Sequence, residues 1–239
     1  MKNYLCNFAS GDIYKNAQRF QKEQLSYYYE KIFEYNDDWL LNEQKNFYEE
    51  NKYVFLNSDS GRGHCIWKPL IILETLAQVN DGDIVTYLDV ADVIYNADFF
   101  PWVEDNVLNK LDSRFFIINY YKHSEWTTRD CFIGMGCDTE YYWNQRQLEA
   151  GTLAFQKNEF NLYFLNEWLG WCKQPSIMCK NQNYFNVPNL PGFVDHRTDQ
   201  SILTNLFYKY KFEGEYMENA RAYILYSHLD KDVVKHIYK

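Results

Sequence analysis

Largely apolar runs alternate along the chain with stripes of helical period, and that alternation predicts a sheet flanked by helices. Leu5–Ala9 reads as a short buried strand and Ile84–Leu88 as an apolar run of β type. Tyr53–Leu56, Phe115–Tyr120, Arg129–Gly134, Leu148–Phe155 and Ala222–Tyr226 read as further strands. Between them lie amphipathic stretches. Asn16 to about Phe33 carries Phe20, Leu25, Tyr28 and Ile32 on one stripe, and Asp38–Lys52 carries a second. Pro69 opens a helix that runs through Val79, since proline suits a first helical turn. Asn161–Cys172 and Asp199–Tyr210 are two more helices. Turns are marked by Ser10-Gly11-Asp12, Gly61-Arg62-Gly63 and Asn80-Asp81-Gly82-Asp83, and Lys180–Asp195 is a loop with Pro188, Pro191 and Gly192. No repeat or linker interrupts the pattern. The expectation is one α/β domain over residues 1–239, a central mixed, mostly parallel sheet with helices on both faces.

Composition narrows the partners more than the fold. The net charge of −9 with no basic tract argues against nucleic acid or an anionic membrane surface. Any phosphate bound must therefore be neutralised by a few local cations or a metal. The N-terminus lacks an apolar leader core, and no apolar run approaches the roughly 18 residues of a membrane span. A cytoplasmic location is expected. The six cysteines form no CxxC pair, which fits reduced core thiols better than disulfides or zinc. Aromatic residues make up 19% of the chain, but a Tyr-rich bias explains that equally well, so it assigns no function.

Four segments carry candidate chemistry. In Gly82–Asp92 an apolar strand delivers Asp89 to its C-terminal edge, where open α/β sheets bind ligands, and Asp92 follows closely. Two carboxylates there suit Mg²⁺ or Mn²⁺, and equally suit a capped turn beside a solvated acid. Gly61–Pro69 places Arg62 and Lys68 beside glycines that let backbone approach a phosphate; the same residues also make an ordinary turn. Asp195–Ser201 packs Asp195, His196, Arg197, Asp199 and Gln200 into a helix start, where Asp199 is also a plain N-cap. His228 ends the last apolar run.

The order of Gly-Arg-Gly-His-Cys-Ile-Trp-Lys-Pro at 61–69, Asn-Asp-Gly-Asp-Ile-Val-Thr-Tyr-Leu-Asp at 80–89 and Asp-His-Arg-Thr-Asp-Gln-Ser-Ile-Leu at 195–203 resembles a family of small microbial and viral GT-A glycosyltransferases. A more distant similarity is to retaining glycosyltransferases of the glycogenin and lipooligosaccharide galactosyltransferase type. The resemblance implies a nucleotide-diphosphate-sugar donor, a UDP-sugar by preference, a glycan or other hydroxyl acceptor, and Mn²⁺ or Mg²⁺. It makes Asp89, Asp92 and His228 metal ligands, although Ala91 stands where the family's DxD motif has its second Asp. It makes Ala9, Ser10, Tyr14, Arg62, Lys68 and Asp89 donor-binding, and Asp199, Gln200 and Glu149 catalytic. Glu149-Ala150-Gly151 stands where the family has Asn-Ala-Gly. The Asp-Gln pair implies retention; an inverting reaction would instead need Glu149, Asp195 or Asp199 as base. Lys173–Asn189 is an expected acceptor loop or lid. Two other functions fit the same features: a non-catalytic nucleotide-sugar-binding domain, and a nucleotidyltransferase. The second lacks a glycine-rich loop near the N-terminus.

Overall fold

Ile84–Leu88 is buried at every position, and β1 (Asn3–Ala9) is buried along nearly all its length, as strands covered on both faces must be. The computed structural model describes residues 1–58, 63–90, 92–94, 96, 98–99, 113–180, 183–216 and 224–225. Its strands are β1, β2 (Lys31–Asn36), β3 (Ile84–Leu88), β4 (Val93–Ile94), β5 (Ser113–Lys122), β6 (Arg146–Gln156), β7 (Glu215–Tyr216) and β8 (Ile224–Leu225). Six of them form one sheet in the order β2-β1-β3-β6-β5-β7. Only β6 runs against its neighbours; the β1–β2, β1–β3 and β5–β7 pairings are parallel. β4 and β8 pair antiparallel in a separate ladder.

The helices are α1 (Gly11–Leu25), α2 (Asp37–Asn42), α3 (Lys45–Glu50), α4 (Lys52–Leu56), α5 (Trp67–Ala77), α6 (Arg129–Gly134), α7 (Glu140–Trp143), α8 (Glu159–Cys172), α9 (Pro175–Met178) and α10 (Asp199–Lys209). Strand side chains alternate between the two faces. Tyr4, Cys6 and Phe8 of β1 join the larger core with Val85 and Tyr87 of β3 and residues of α5, α8 and α10, while Leu5 and Leu88 pack with Leu25 on the α1 side. The result is the expected mixed, mostly parallel sheet flanked by helices. Among the described residues no helix is long and apolar enough to cross a membrane.

Four of the expected elements are corrected. The helix expected to reach Phe33 ends at Leu25, and Lys31–Asn36 is a strand. There Phe33 and Tyr35 are buried in alternation, and six residues pair with β1, so long-range pairing outweighs the helical stripe. Asp38–Lys52 is not one helix but is broken at Glu43 and Asn51. Tyr53–Leu56 and Arg129–Gly134 are helical, not strands. Short apolar runs fit either state, and Thr128 decides the second by accepting the Cys131 amide at 3.4 Å as an N-cap. Of Ala222–Tyr226, only Ile224–Leu225 is described, and it lies outside the main sheet.

Candidate functional site

The parallel strands β1 and β3 end side by side, and β6 returns between β3 and β5, bringing residues 149–151 next to 89–92. Asp89 N donates to Gly151 O at 2.7 Å, extending the ladder one residue past β3. The register of β6 against β5 is irregular here: the step from Arg114 to Phe116 is matched by the step from Ala154 to Glu149. The extra residues bulge, and bulges re-aim side chains at sheet ends.

The acidic turn after β3 is held from below. Asp92 N donates to Asp89 O at 2.9 Å. Gln21 Nε2 of α1 donates to both carbonyls, Asp89 O at 3.1 Å and Asp92 O at 3.3 Å. Gln21 is itself fixed by Asn7 of β1, whose Nδ2 donates to its Oε1 at 2.7 Å, and Gln18 donates to Asn7 Oδ1 at 2.8 Å. This buried amide chain locks the backbone that presents both aspartates.

Three carboxylates converge on Gly151. A Cβ at that position would lie 2.5 Å from Glu149 Oε1, 3.0 Å from Asp92 Oδ2 and 3.1 Å from Asp89 Oδ2. Only glycine fits there without displacing the carboxylates. Glu149 Oε1 accepts the Gly151 amide at 2.6 Å. The other Asp89 oxygen, Oδ1, accepts a short hydrogen bond from the Tyr87 hydroxyl.

Lys68 lies beneath the cluster and is only 4% exposed. Its Nζ donates to Ala150 O at 2.8 Å and lies 3.3 Å from Asp199 Oδ2 and 3.7 Å from Asp89 Oδ1. The loop before α5 reaches this position through consecutive left-handed residues, Gly63, His64 and Cys65, with φ of 64°, 52° and 66°. A side chain at Gly63 would strike the Phe55 ring at 2.5 Å. Thr198, at φ 48°, donates from Oγ1 to His64 O at 3.1 Å. The strained ends of the Lys68 and Asp199 loops thus brace each other, a concentration of strain typical of sites that must be held in place.

The electrostatics follow from this packing. Burial opposes a charge on Lys68, but Asp199 and Asp89 more than offset it and hold the ammonium well above its usual range. Burial raises the Glu149 carboxyl to about 7, with Asp89 adding to the rise, while the Gly151 amide, Lys68 and Arg197 oppose it. Burial, and then Asp89, also raises Asp199 against the pull of Lys68.

Asp89, Asp92, Glu149, Asp199 and Lys68 therefore meet in space. Ala9 ends β1, Ser10 precedes α1 and Tyr14 sits half-buried on the first turn of α1, one strand across from Asp89. Near them is an aromatic cleft of about 130 Å³, lined by Phe8, Tyr48, Phe55, Trp67 and Asp37. In it Phe8 and Trp67 stack at 4.1 Å. Gln200 turns elsewhere: its Nε2 donates to Gln147 Oε1 at 3.3 Å. Gln147 belongs to a buried polar group in which its Nε2 donates to His123 Nδ1 at 2.9 Å and His123 Nε2 donates to Asn205 Oδ1 at 2.9 Å. Arg62, Ala91 and His228 lie outside the described residues. Lys180 of the expected lid pairs with Asp195 at 2.9 Å.

Single segments did not single out Gly151, Tyr87 or Gln21 as site residues, and named Arg197 only as one member of a polar run. The Glu-Ala-Gly run was a signal for the first. Tyr87 sits two residues before Asp89 and carries no motif of its own, and Gln21 becomes visible only through contacts distant in sequence. Among the described residues no group of three or more His, Cys, Asp and Glu side chains is arranged to hold a metal by itself. The oxygens facing Gly151 are nonetheless hard donors of the type that Mg²⁺ and Mn²⁺ take.

No family model and no curated protein sequence matches the chain. Among solved structures it is similar to the apo form of mouse xyloside xylosyltransferase 1, at 10% identity over 89% of this chain and 84% of that one, with a TM-score of 0.48.

Proposed function

We propose that the chain is a metal-dependent GT-A glycosyltransferase, which moves a sugar from a nucleotide-diphosphate donor, a UDP-sugar by preference, to a hydroxyl acceptor with retention. The observation that carries this reading is the convergence of Asp89, Asp92 and Glu149 on Gly151, beyond the end of a parallel strand and beside Lys68. Asp89 and Asp92 would hold Mn²⁺ or Mg²⁺, with donor oxygens completing its shell. The ion supplies charge neutralisation for a diphosphate leaving group. Lys68, fixed by Asp199 and Ala150 O, keeps a full positive charge at the same edge without needing to reorganise. Asp199 lines the sugar side, Gln200 would join it only by leaving Gln147, and Glu149, raised to about 7, can hold a sugar hydroxyl or exchange a proton with the acceptor. The cleft at Phe8 and Trp67, with Ala9, Ser10 and Tyr14, is the nucleoside end.

The test is donor hydrolysis and binding across UDP- and GDP-sugars, with and without Mn²⁺, in wild type and Asp89→Ala. Slow hydrolysis of one donor that needs metal and disappears in Asp89→Ala supports the reading. Donor binding that ignores both metal and Asp89, without turnover, overturns it in favour of a non-catalytic sugar-nucleotide-binding domain.

Gly151→Ala is a sharper probe of the geometry. The added methyl displaces the Glu149 carboxylate from the Gly151 amide and crowds both aspartates. Alanine suits a strand better than glycine does, so urea unfolding should stay within about 1 kcal/mol of wild type. Mn²⁺-dependent donor binding, followed by calorimetry, is expected to be lost. Unchanged binding would mean that this space is not used.

A further inference from the structure

Arg197 is a fixed cation that forms no salt bridge among the described residues. Its backbone N donates to Trp126 O at 3.0 Å, and Val194 N just before it donates to Glu125 O at 2.7 Å, so the loop is stapled to the end of β5. Its guanidinium carbon lies 4.6 Å from the Trp126 ring centroid and 5.3 Å from that of Tyr121. Those two rings pack against each other at 4.5 Å. Nε is buried without a hydrogen-bond partner, and among the described residues no carboxylate forms a salt bridge with this side chain. Of the neighbouring acids, Asp195 pairs with Lys180 and Asp199 with Lys68, while Glu149 feels the charge of Arg197 from a distance without forming a salt bridge with it. The side chain stays half-buried, with part of its surface open.

A guanidinium held over two rings has lost most of its conformational freedom before any ligand arrives, and its fork suits a carboxylate or phosphate. Its position indicates which end of a substrate it meets. Tyr121 belongs to β5, which β6 separates from β3, whereas the aromatic cleft lies at Phe8 of β1 and at α2 on the other side of Asp89. Arg197 is therefore on the opposite flank of the carboxylate cluster from the nucleoside end. We propose that Arg197, on its Trp126–Tyr121 platform, binds an oxyanion carried by a sugar, the carboxylate of a uronic acid or the phosphate of a sugar phosphate. That the sugar is a reactant rests on the glycosyltransferase reading; the anion site itself does not.

The oxyanion is carried either by the receiving sugar or by the transferred one, and the experiment has one arm for each. In the first, calorimetry compares methyl glucuronide and glucose 6-phosphate with methyl glucoside as free ligands. In the second, it compares UDP-glucuronic acid with UDP-glucose in Mn²⁺. Wild type should favour the charged member by about tenfold in at least one arm. Arg197→Gln should abolish the preference while leaving the neutral ligand's affinity unchanged, and Arg197→Lys should keep part of it. No preference in wild type overturns the proposal, and so does a preference that survives in Arg197→Gln. If Arg197→Gln fails to fold, an undiminished preference in Arg197→Lys overturns the fork-specific role, and a reduced one supports it. Failure of every UDP-sugar to bind would count against the glycosyltransferase reading alone, because the free-sugar arm needs no nucleotide.

Discussion

Lys68→Met is expected to destabilise the fold by about 3–5 kcal/mol, the range for removing one partner of a buried ion pair. The substitution keeps the length of the side chain and its packing, so most of the cost is electrostatic. Lys68 Nζ lies 3.3 Å from Asp199 Oδ2, and both side chains are only 6% exposed. Without the ammonium, Asp199 is left as a buried charge beside Asp89 and Glu149 and must either remain ionised in an apolar setting or take up a proton. The 3.7 Å contact with Asp89 adds little, because that carboxylate is 43% exposed and water screens it. Ala150 O also loses its 2.8 Å donor. Urea unfolding of wild type, Lys68→Met, Asp199→Asn and the double variant checks this. The double variant should recover most of the lost stability, because neither charge remains without its partner. It should not recover donor turnover, which needs the cation at the sheet edge. A single variant within 1 kcal/mol of wild type would mean that the pair is not structural.

The sequence revealed Asp89 and Lys68 because each sits in a local pattern: an apolar run ending in an acid, and a glycine turn leading into a proline-started helix. Phosphate chemistry was the natural reading of Lys68, but the chain buries it as the partner of Asp199, 131 positions away. That pairing has no local signature. The same is true of the brace from Gln18 through Asn7 to Gln21, which reaches the Asp89 carbonyl across 68 positions. On an amphipathic stripe these glutamines look like ordinary polar-face residues. Their burial follows from α1 starting at Gly11 and lying over β1, not from its pattern. Asp199-Gln200 was legible as a pair, yet the helix sends its members apart. Asp199 turns toward Lys68, and Gln200 turns to Gln147. Adjacent helical residues point about 100° apart, so the motif fixes their identity and not a common target. Arg197 was visible as one charge among five polar neighbours. Only the return of the chain past Trp126 shows that it is held on a platform, with no salt bridge among the described residues.

The pH dependence of stability gives the second large effect, and it tests the buried polar layer and Glu149 together. Burial keeps the His123 and His196 imidazoles neutral, lowering them to about 3 and about 4. In the unfolded chain both take up a proton below about 6.5. The stability they confer is thus complete above 6.5 and is lost as pH falls. Glu149 works in the opposite sense. Its folded value near 7 exceeds its unfolded value, so the native state holds its proton between about 4.5 and 7, and acidification through that window favours folding. Asp199, also raised, adds to that side. From pH 6.5 to 5, two protons gained by the unfolded state oppose at least one held by the native state. Metal-free wild type should therefore lose no more than about 1.4 kcal/mol per pH unit in urea unfolding. Glu149→Gln removes the opposing proton, so its slope should steepen by about 1.4 kcal/mol per unit over the same range. Equal slopes would show that Glu149 is ionised throughout and that Lys68 and the Gly151 amide outweigh its burial. A wild type that gains stability below 6.5 would show that His123 and His196 accept protons inside the fold. In that case the polar layer under Gln147 would be open to water, and Gln200 would be free to turn from Gln147 toward the sugar side of Asp199.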